Sequence, residues 1–456
     1  MKSLINKLKN LGFRLGKNAA IWLFDHNVTW PFVQAYALAL RPVLPRDGSM
    51  PRGEYALLAL NERRFPGDLE ALAETGRFRV FRLPFEWQGR MLRLAWEDST
   101  DFSDYFSREK SEKTGALQKR LRGYLKKLIA PLFKKLRIDG VLGVTPYYRQ
   151  DYDWGAAASE LGYPYIILNK ESLVGSVQSR RDEAARYSKM EPFSGAHIIV
   201  HNENMRKVFL ASQGYITAEK LSALGCIRMD QFLRKIREWK PVSGTPKQVI
   251  LFSFHYCADL SIDDYFNREV GYVKFFENVH ASFARAAQKH PDVQFIIKTK
   301  WGSKWFEEVN YVLRKNGIDP ESVPNLRITD AKNVHELMFA STVVVSYAST
   351  TILEAAVAGK PVIIPFFDEP REPKYHDNIT LLEHFQAFDI AESPEGLERL
   401  ISERLANPSV PADLLKKRQD IFDGNVSPLS ADAVERYSKV IIKEIESARA
   451  RRGEKH

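Results

Sequence analysis

Short apolar runs and helical patterns alternate along almost the whole chain. In the first half the runs are Ala20–Phe24, Tyr55–Leu60, Phe78–Leu83, Gly140–Val144, Tyr165–Leu168, His197–Val200 and Leu221–Leu224. Each is short and sharply bounded, the signature of a strand buried on both faces. Between them Phe32–Leu40, Leu69–Glu74, Asp151–Leu161 and Glu203–Ser212 repeat apolar positions at helical spacing. Past Arg234–Lys240 and the connector Pro241-Val-Ser-Gly-Thr-Pro246 the pattern restarts. Its strands are Gln248–Phe254, Val293–Lys298, Leu326–Ile328, Val343–Ser346, Val362–Pro365 and Phe388–Ile390. Its helices are Tyr272–Lys289, Lys304–Asn316, Val334–Ser341, Thr351–Ala358, Thr380–His384 and Pro394–Ala406. Strands joined by amphipathic helices predict right-handed crossovers and parallel sheets covered on both faces. The reading is α/β, with two doubly wound domains, residues 19–240 and 241–430, facing each other across a cleft. Residues 431–456 add a C-terminal helix and a basic tail.

Length and composition narrow this picture. A chain of 456 residues suits two cores better than one, and 44% hydrophobic against 27% charged residues excludes a disordered chain. No apolar run approaches the ~20 residues that span a bilayer. Two cysteines, Cys226 and Cys257, exclude a disulfide framework and any cysteine-ligated metal centre, and they fit a reducing compartment.

Charge points to an anionic partner. Lys and Arg number 67 against 57 Asp and Glu, a formal net of +10. Residues 1–18 place Leu4, Ile5, Leu8, Leu11 and Leu15 on one helical arc and Lys2, Lys7, Lys9, Arg14 and Lys17 on the rest. With no small-residue cleavage site after it, this basic amphipathic helix reads as an interfacial anchor on anionic lipid rather than a signal peptide. A second basic stretch, Leu117–Arg137, aligns Leu117, Leu121, Tyr124, Leu125, Leu128, Leu132 and Leu136 opposite a face of lysines and arginines. It either packs on a sheet or touches a membrane surface. Positive charge gathered on amphipathic helices, away from aromatic platforms, argues against nucleic acid.

The most informative segment is residues 341–365, STVVVSYASTTILEAAVAGKPVIIP. It reads as a buried strand, a turn rich in hydroxyls, a short helix, a glycine stop and a second buried strand. Thr351 is placed to cap the helix, with Glu354 returning to the cap amide and Gly359 ending it. A helix start at the end of a parallel strand offers free N–H groups, and Ser349, Thr350 and Thr351 add hydroxyl donors. Together they suit a phosphate or diphosphate; the alternative is purely local capping.

This strand, its Ser/Thr cluster and the following Glu354-Ala-Ala-Val-Ala-Gly-Lys-Pro-Val-Ile resemble the donor-side signature of GT-B glycosyltransferases. The resemblance is to the surface- and capsular-polysaccharide type, including CDP-glycerol glycerophosphotransferases and the CMP-Kdo and sialic acid transferases. Asn333-Val-His-Glu-Leu-Met338 matches the helix that precedes this strand in such enzymes. Gly225-Cys-Ile-Arg-Met-Asp230 is similar to their Gly-x-Pro-Arg-x-Asp hinge, with Ile227 in place of proline. The likeness runs from about Gly140 to Ile390. It implies a GT-B fold of two Rossmann-like domains whose C-terminal domain takes a nucleotide-activated donor. By resemblance Ser349, Thr350 and Thr351 hold the phosphates and Glu354 caps or meets a donor hydroxyl. Lys298 and Lys300, which end a buried strand, and His255, which ends the first strand of the domain, point at the same cleft and neutralise a departing phosphate.

The acceptor half is expected to supply a carboxylate or imidazole. Its candidates are Asp151, Asp153 and Glu171 for catalysis, with Asp25, His26, Lys170 and Tyr148 as acceptor-side or secondary groups. Asp151-Tyr-Asp153 also has the spacing of a metal-binding Asp-x-Asp, but reads here as the cap of the helix that follows. No metal and no cofactor beyond the donor substrate is expected. The leading function is transfer of a sugar or polyol phosphate to a surface-glycan or lipid-linked acceptor at the cytoplasmic membrane face. A soluble UDP-sugar 2-epimerase of the same fold and a non-catalytic partner in a glycan assembly complex are the alternatives.

Overall fold

The computed structural model describes residues 16–453, apart from 46, 50–52, 66, 97–101, 171, 240–245, 261, 263 and 332. The first sheet comprises β1 (Arg41–Pro42), β2 (Tyr55–Ala59), β3 (Phe78–Arg82), β4 (Gly140–Gly143), β5 (Tyr165–Leu168), β6 (His197–Val200) and β7 (Leu221–Ala223). Their order is β1-β3-β2-β4-β5-β6-β7, parallel throughout except for β1 on β3. The second sheet comprises β8 (Gln248–Phe252), β9 (Gln294–Lys298), β10 (Leu326–Thr329), β11 (Val343–Ser346), β12 (Val362–Pro365) and β13 (Asp389–Ala391). Its order, β10-β9-β8-β11-β12-β13, is the doubly wound one, with the strand order reversing between β8 and β11. Helices cover both faces, so strands such as Val249–Leu251 and Val343–Val345 are fully buried.

Ala20–Phe24, expected as a strand, lies within a helix over residues 16–25. A short apolar run does not separate the two states, and here only Phe24 among these residues is buried, its ring 4.8 Å from Tyr124. Tyr124 belongs to the long helix Glu112–Leu136, which buries Leu121, Leu125, Leu128, Ile129, Leu132 and Phe133. The apolar stripe of Leu117–Arg137 is therefore packing surface. The expected amphipathic anchor falls largely on residues 1–15, outside the described residues, as does most of the connector at 241–245. Helix Val177–Lys189 has no apolar stripe to announce it, since it buries only Tyr187.

The last helix, Ala433–Arg452, crosses back to the first sheet. Ala433, Tyr437, Ile441 and Ile445 join a core with Val43, Leu57, Leu142 and Ile199. Arg449 pairs with Asp139 at 2.7 Å, and Tyr55 donates to Glu446 at 2.8 Å. The residues Gly225–Asp230 hold the crossing. Gly225 has φ +95°, and a Cβ there would sit 2.9 Å from Ser427 Oγ, so glycine is required. Tyr437 donates to the Gly225 carbonyl at 2.8 Å, and Asp230 accepts from the first amides of the last helix, Ala433 and Val434. A carboxylate on those orphan donors caps a helix that its own residues leave uncapped.

Candidate functional site

A cleft of about 1120 Å³ opens between the carboxyl ends of the two sheets. It lies at the topological switch points, where neighbouring strands feed helices on opposite faces. The second domain lines it with Ser253, His255, Lys298, Lys300, Ser349, Thr350, Thr351 and Glu354. The first lines it with Arg63, Arg64, Lys170, His201 and Arg228. All seven donor-side residues expected from the sequence, and Lys170, are thus brought to one cavity.

The turn after β11 is bent by Ala348, a non-glycine residue at φ +50°, which costs about 1 kcal/mol and is held by its surroundings. The bend leaves the amides of Ser349 and Thr350 donating to no acceptor among the described residues. Ser349 Oγ accepts from the Thr351 amide at 3.3 Å and from the Thr351 hydroxyl at 3.0 Å; Ser346 and Thr351 hydroxyls meet at 2.8 Å. The expected capping box is absent. Helix Thr351–Val357 starts after Thr350, whose side chain caps no amide. Glu354 instead takes the Thr350 hydroxyl at 2.7 Å and His335 Nε2 at 3.0 Å. Burial pushes its carboxyl up, but those two hydrogen bonds and His335 hold it below the ordinary range, ionised. Gly359, at φ +74°, follows the end of this helix as expected.

Basic groups surround the turn. Lys298 is almost fully buried, and burial lowers its ammonium, with Asp330 opposing. Arg228, from the crossing segment, is exposed to the cleft and drawn by Asp68 and Glu354. His255 Nδ1 is buried with no hydrogen-bond partner among the described residues; burial and Lys300 hold its ring down to about 4. Its ring lies 4.3 Å from Tyr265. On the opposite wall His201 follows the end of β6, lowered to about 3 by burial, Arg228 and Lys170. Sequence reasoning missed Arg228 and His201. Both stand at positions the fold rule singles out, one in the motif Gly225–Asp230 and one just past a buried strand.

The acceptor-side carboxylates are arranged differently from the expectation. Asp153 does not line the cleft; it is buried against Arg122 at 2.6 Å and accepts from the Tyr105 hydroxyl. Asp151 is fully buried beside the Asn61 side chain, and burial raises its carboxyl to about 7 against the opposing pull of Asn61. Neither caps its helix, which starts after Tyr148 with no side-chain cap. Glu171 lies outside the described residues. Asp25 and His26 sit at the end of the helix over 16–25, away from the cleft lining, Asp25 paired with Arg120 and His26 stacked on Trp22. Tyr148 also lies outside the lining, beneath the Arg64 guanidinium at 5.5 Å. Among the described residues no three His, Cys, Asp or Glu side chains gather where they could hold a metal ion.

Two doubly wound sheets, a cleft at their carboxyl ends and a last helix that returns to the first domain define the GT-B architecture. No family model and no curated protein matches the chain. Among solved structures, a wall teichoic acid polymerase TagF structure is 13% identical over 97% of both chains, with a TM-score of 0.49. The UDP-GlcNAc 2-epimerase of Neisseria meningitidis, bound to UDP-GlcNAc, is 12% identical over 85% of this chain and 99% of its own, at 0.47. MurG of Acinetobacter baumannii is 15% identical over 86% and 100%, at 0.43. At these values the likeness adds no argument to that of the strand orders.

Proposed function

We propose that this protein transfers a sugar, or a polyol phosphate, from a nucleotide-activated donor to a surface-glycan or lipid-linked acceptor at the cytoplasmic membrane face. The observation that carries the reading is the turn at 349–350. Two amides without acceptors among the described residues and a web of hydroxyls share one cleft with Arg228, Lys298 and Lys300. Such a set neutralises a diphosphate. The acceptor oxygen attacks the activated carbon or phosphorus, the bond to the nucleotide phosphate breaks, and its electron pair leaves on the phosphate. Arg228, the two lysines and the amides stabilise that charge. The acceptor proton goes to His201. Burial, and then Arg228 and Lys170, depress its imidazole; an anionic donor between those cations offsets their share and moves the ring toward a working base.

The N-terminal sequence suits a membrane-face reading. The amphipathic sequence of residues 1–18 fits an anionic lipid surface. No described helix is long and apolar enough to cross a membrane.

A thermal-shift series with CMP, CDP, UDP and GDP tests the donor site. One nucleotide is expected to stabilise the protein, with the shift lost in Lys300→Ala and Thr350→Ala. Stabilisation unchanged by both substitutions, or none by any nucleotide, overturns the reading. Incubation of the stabilising nucleotide's sugar conjugate without acceptor separates the alternative chemistry: a C2-epimerised donor would identify an epimerase.

A further inference from the structure

We infer that the paired helices over 16–25 and Trp30–Ala39 form a docking surface for an anionic lipid bilayer, separate from the sequence of residues 1–15. Among the described residues, three of the most exposed large apolar side chains stand here: Trp22 at 55%, Trp30 at 69% and Leu38 at 88%. Their helices are fastened to one support. Phe24 and Phe32 both lie against the Tyr124 ring, and the Tyr124 hydroxyl donates to the Val28 carbonyl between the helices at 2.9 Å. Phe24 is buried two residues from Trp22, and Tyr36 is buried on the side of its helix away from Trp30 and Leu38. The apolar tips therefore project outward while the opposite faces are fixed.

What surrounds the tips decides the partner. Along the supporting helix Arg120, Lys127 and Lys134 recur at seven-residue spacing, all exposed, with Lys135 beside them. Lys127 Nζ meets Asn27 at 3.3 Å, Lys135 Nζ meets Gln34 at 2.5 Å, and Arg120 pairs with Asp25. These contacts tie the basic row to the two helices that carry the tryptophans. Trp side chains partition to the headgroup region of a bilayer, and lysines on the same face are drawn to anionic headgroups. A protein interface of this composition would shed its lysines, because interface cores exclude them. The inference deepens the membrane-face reading above, yet stands on this surface alone and survives failure of the donor site.

The test is co-sedimentation of the full chain with vesicles of phosphatidylcholine containing phosphatidylglycerol, against phosphatidylcholine alone. Binding is expected only with the anionic lipid, and at least tenfold weaker binding is expected for Trp22→Ser/Trp30→Ser/Leu38→Ser and for Lys127→Glu/Lys134→Glu. Brominated acyl chains are expected to quench tryptophan fluorescence in the parent chain, and much less in Trp22→Phe/Trp30→Phe. All these positions are exposed, and circular dichroism with the unfolding midpoint reports whether each variant keeps its fold, independently of any nucleotide. Vesicle binding unchanged by both multiple substitutions would assign any attachment to residues 1–15 and overturn the inference. So would concentration-dependent dimerisation abolished by the triple substitution without vesicle binding, which would make the face a contact between copies.

Discussion

His335 and Glu354 meet at 3.0 Å behind the donor turn, and the second Glu354 oxygen holds the Thr350 hydroxyl at 2.7 Å. The carboxylate is buried at the cleft wall and both its oxygens are occupied, so it braces the turn. Glu354→Ala releases Thr350 and leaves His335 unanswered. The expected result is at least a tenfold loss of nucleotide affinity by calorimetry, with Glu354→Gln, which keeps the Thr350 bond, losing less. Equal affinity in both variants would deny Glu354 its bracing role.

Arg228 is a guanidinium exposed to the cleft beside a carboxylate that is already committed. Arg228→Ala is expected to weaken nucleotide binding by at least tenfold and to flatten its salt dependence, because one phosphate contact disappears. A salt slope identical to that of the parent protein would place the phosphates elsewhere.

Asp153 illustrates a carboxylate bound into architecture. Its partner Arg122 lies at 2.6 Å, and the carboxylate is almost fully buried. Arg122→Ala strands that charge and is expected to cost roughly 3–5 kcal/mol in denaturant unfolding, whereas Arg122→Met/Asp153→Leu recovers most of the loss.

Asp151 carries a pH signature. Burial raises its carboxyl from 3.8 to about 7, so the folded state favours the neutral form. The unfolded chain is ionised above pH 4. Its contribution is therefore complete below that value and is lost as pH rises toward 7, up to roughly 4 kcal/mol when fully ionised. Asp151→Asn is expected to be more stable than the parent at pH 8 and to flatten the stability profile between pH 5 and 7. A parallel profile would contradict the buried neutral acid.

Most of the fold was legible because parallel strands buried on both faces leave unbroken apolar runs; β5, β6, β11 and β12 begin and end where the pattern puts them. Ala20–Phe24 misled because five apolar-rich residues fit either state, and the deciding contact, Phe24 on Tyr124, spans 100 positions. The donor side was readable because its groups are local: Ser349, Thr350 and Thr351 are neighbours in sequence. The acceptor side was not. Asp151 and Asp153 look alike on paper, and only the tertiary surroundings, the Arg122 cation and Tyr105 for one and the uncharged Asn61 for the other, tell them apart. Arg228 was visible within its motif, but its reach into the cleft depends on Gly225 and the returning chain.

The closing stretch of the polypeptide covers apolar wall laid down near its beginning: Leu57 and Ile441 share one cluster. At a synthesis rate of about 5–20 residues per second, that wall emerges ~20–80 s before its lid exists. The second lobe has all its strands by then, so the lobe made first is the lobe finished last. Nascent chains arrested shortly before residue 431 are expected to recruit chaperones through the uncovered sheet, and a stop codon there removes far more than a tail.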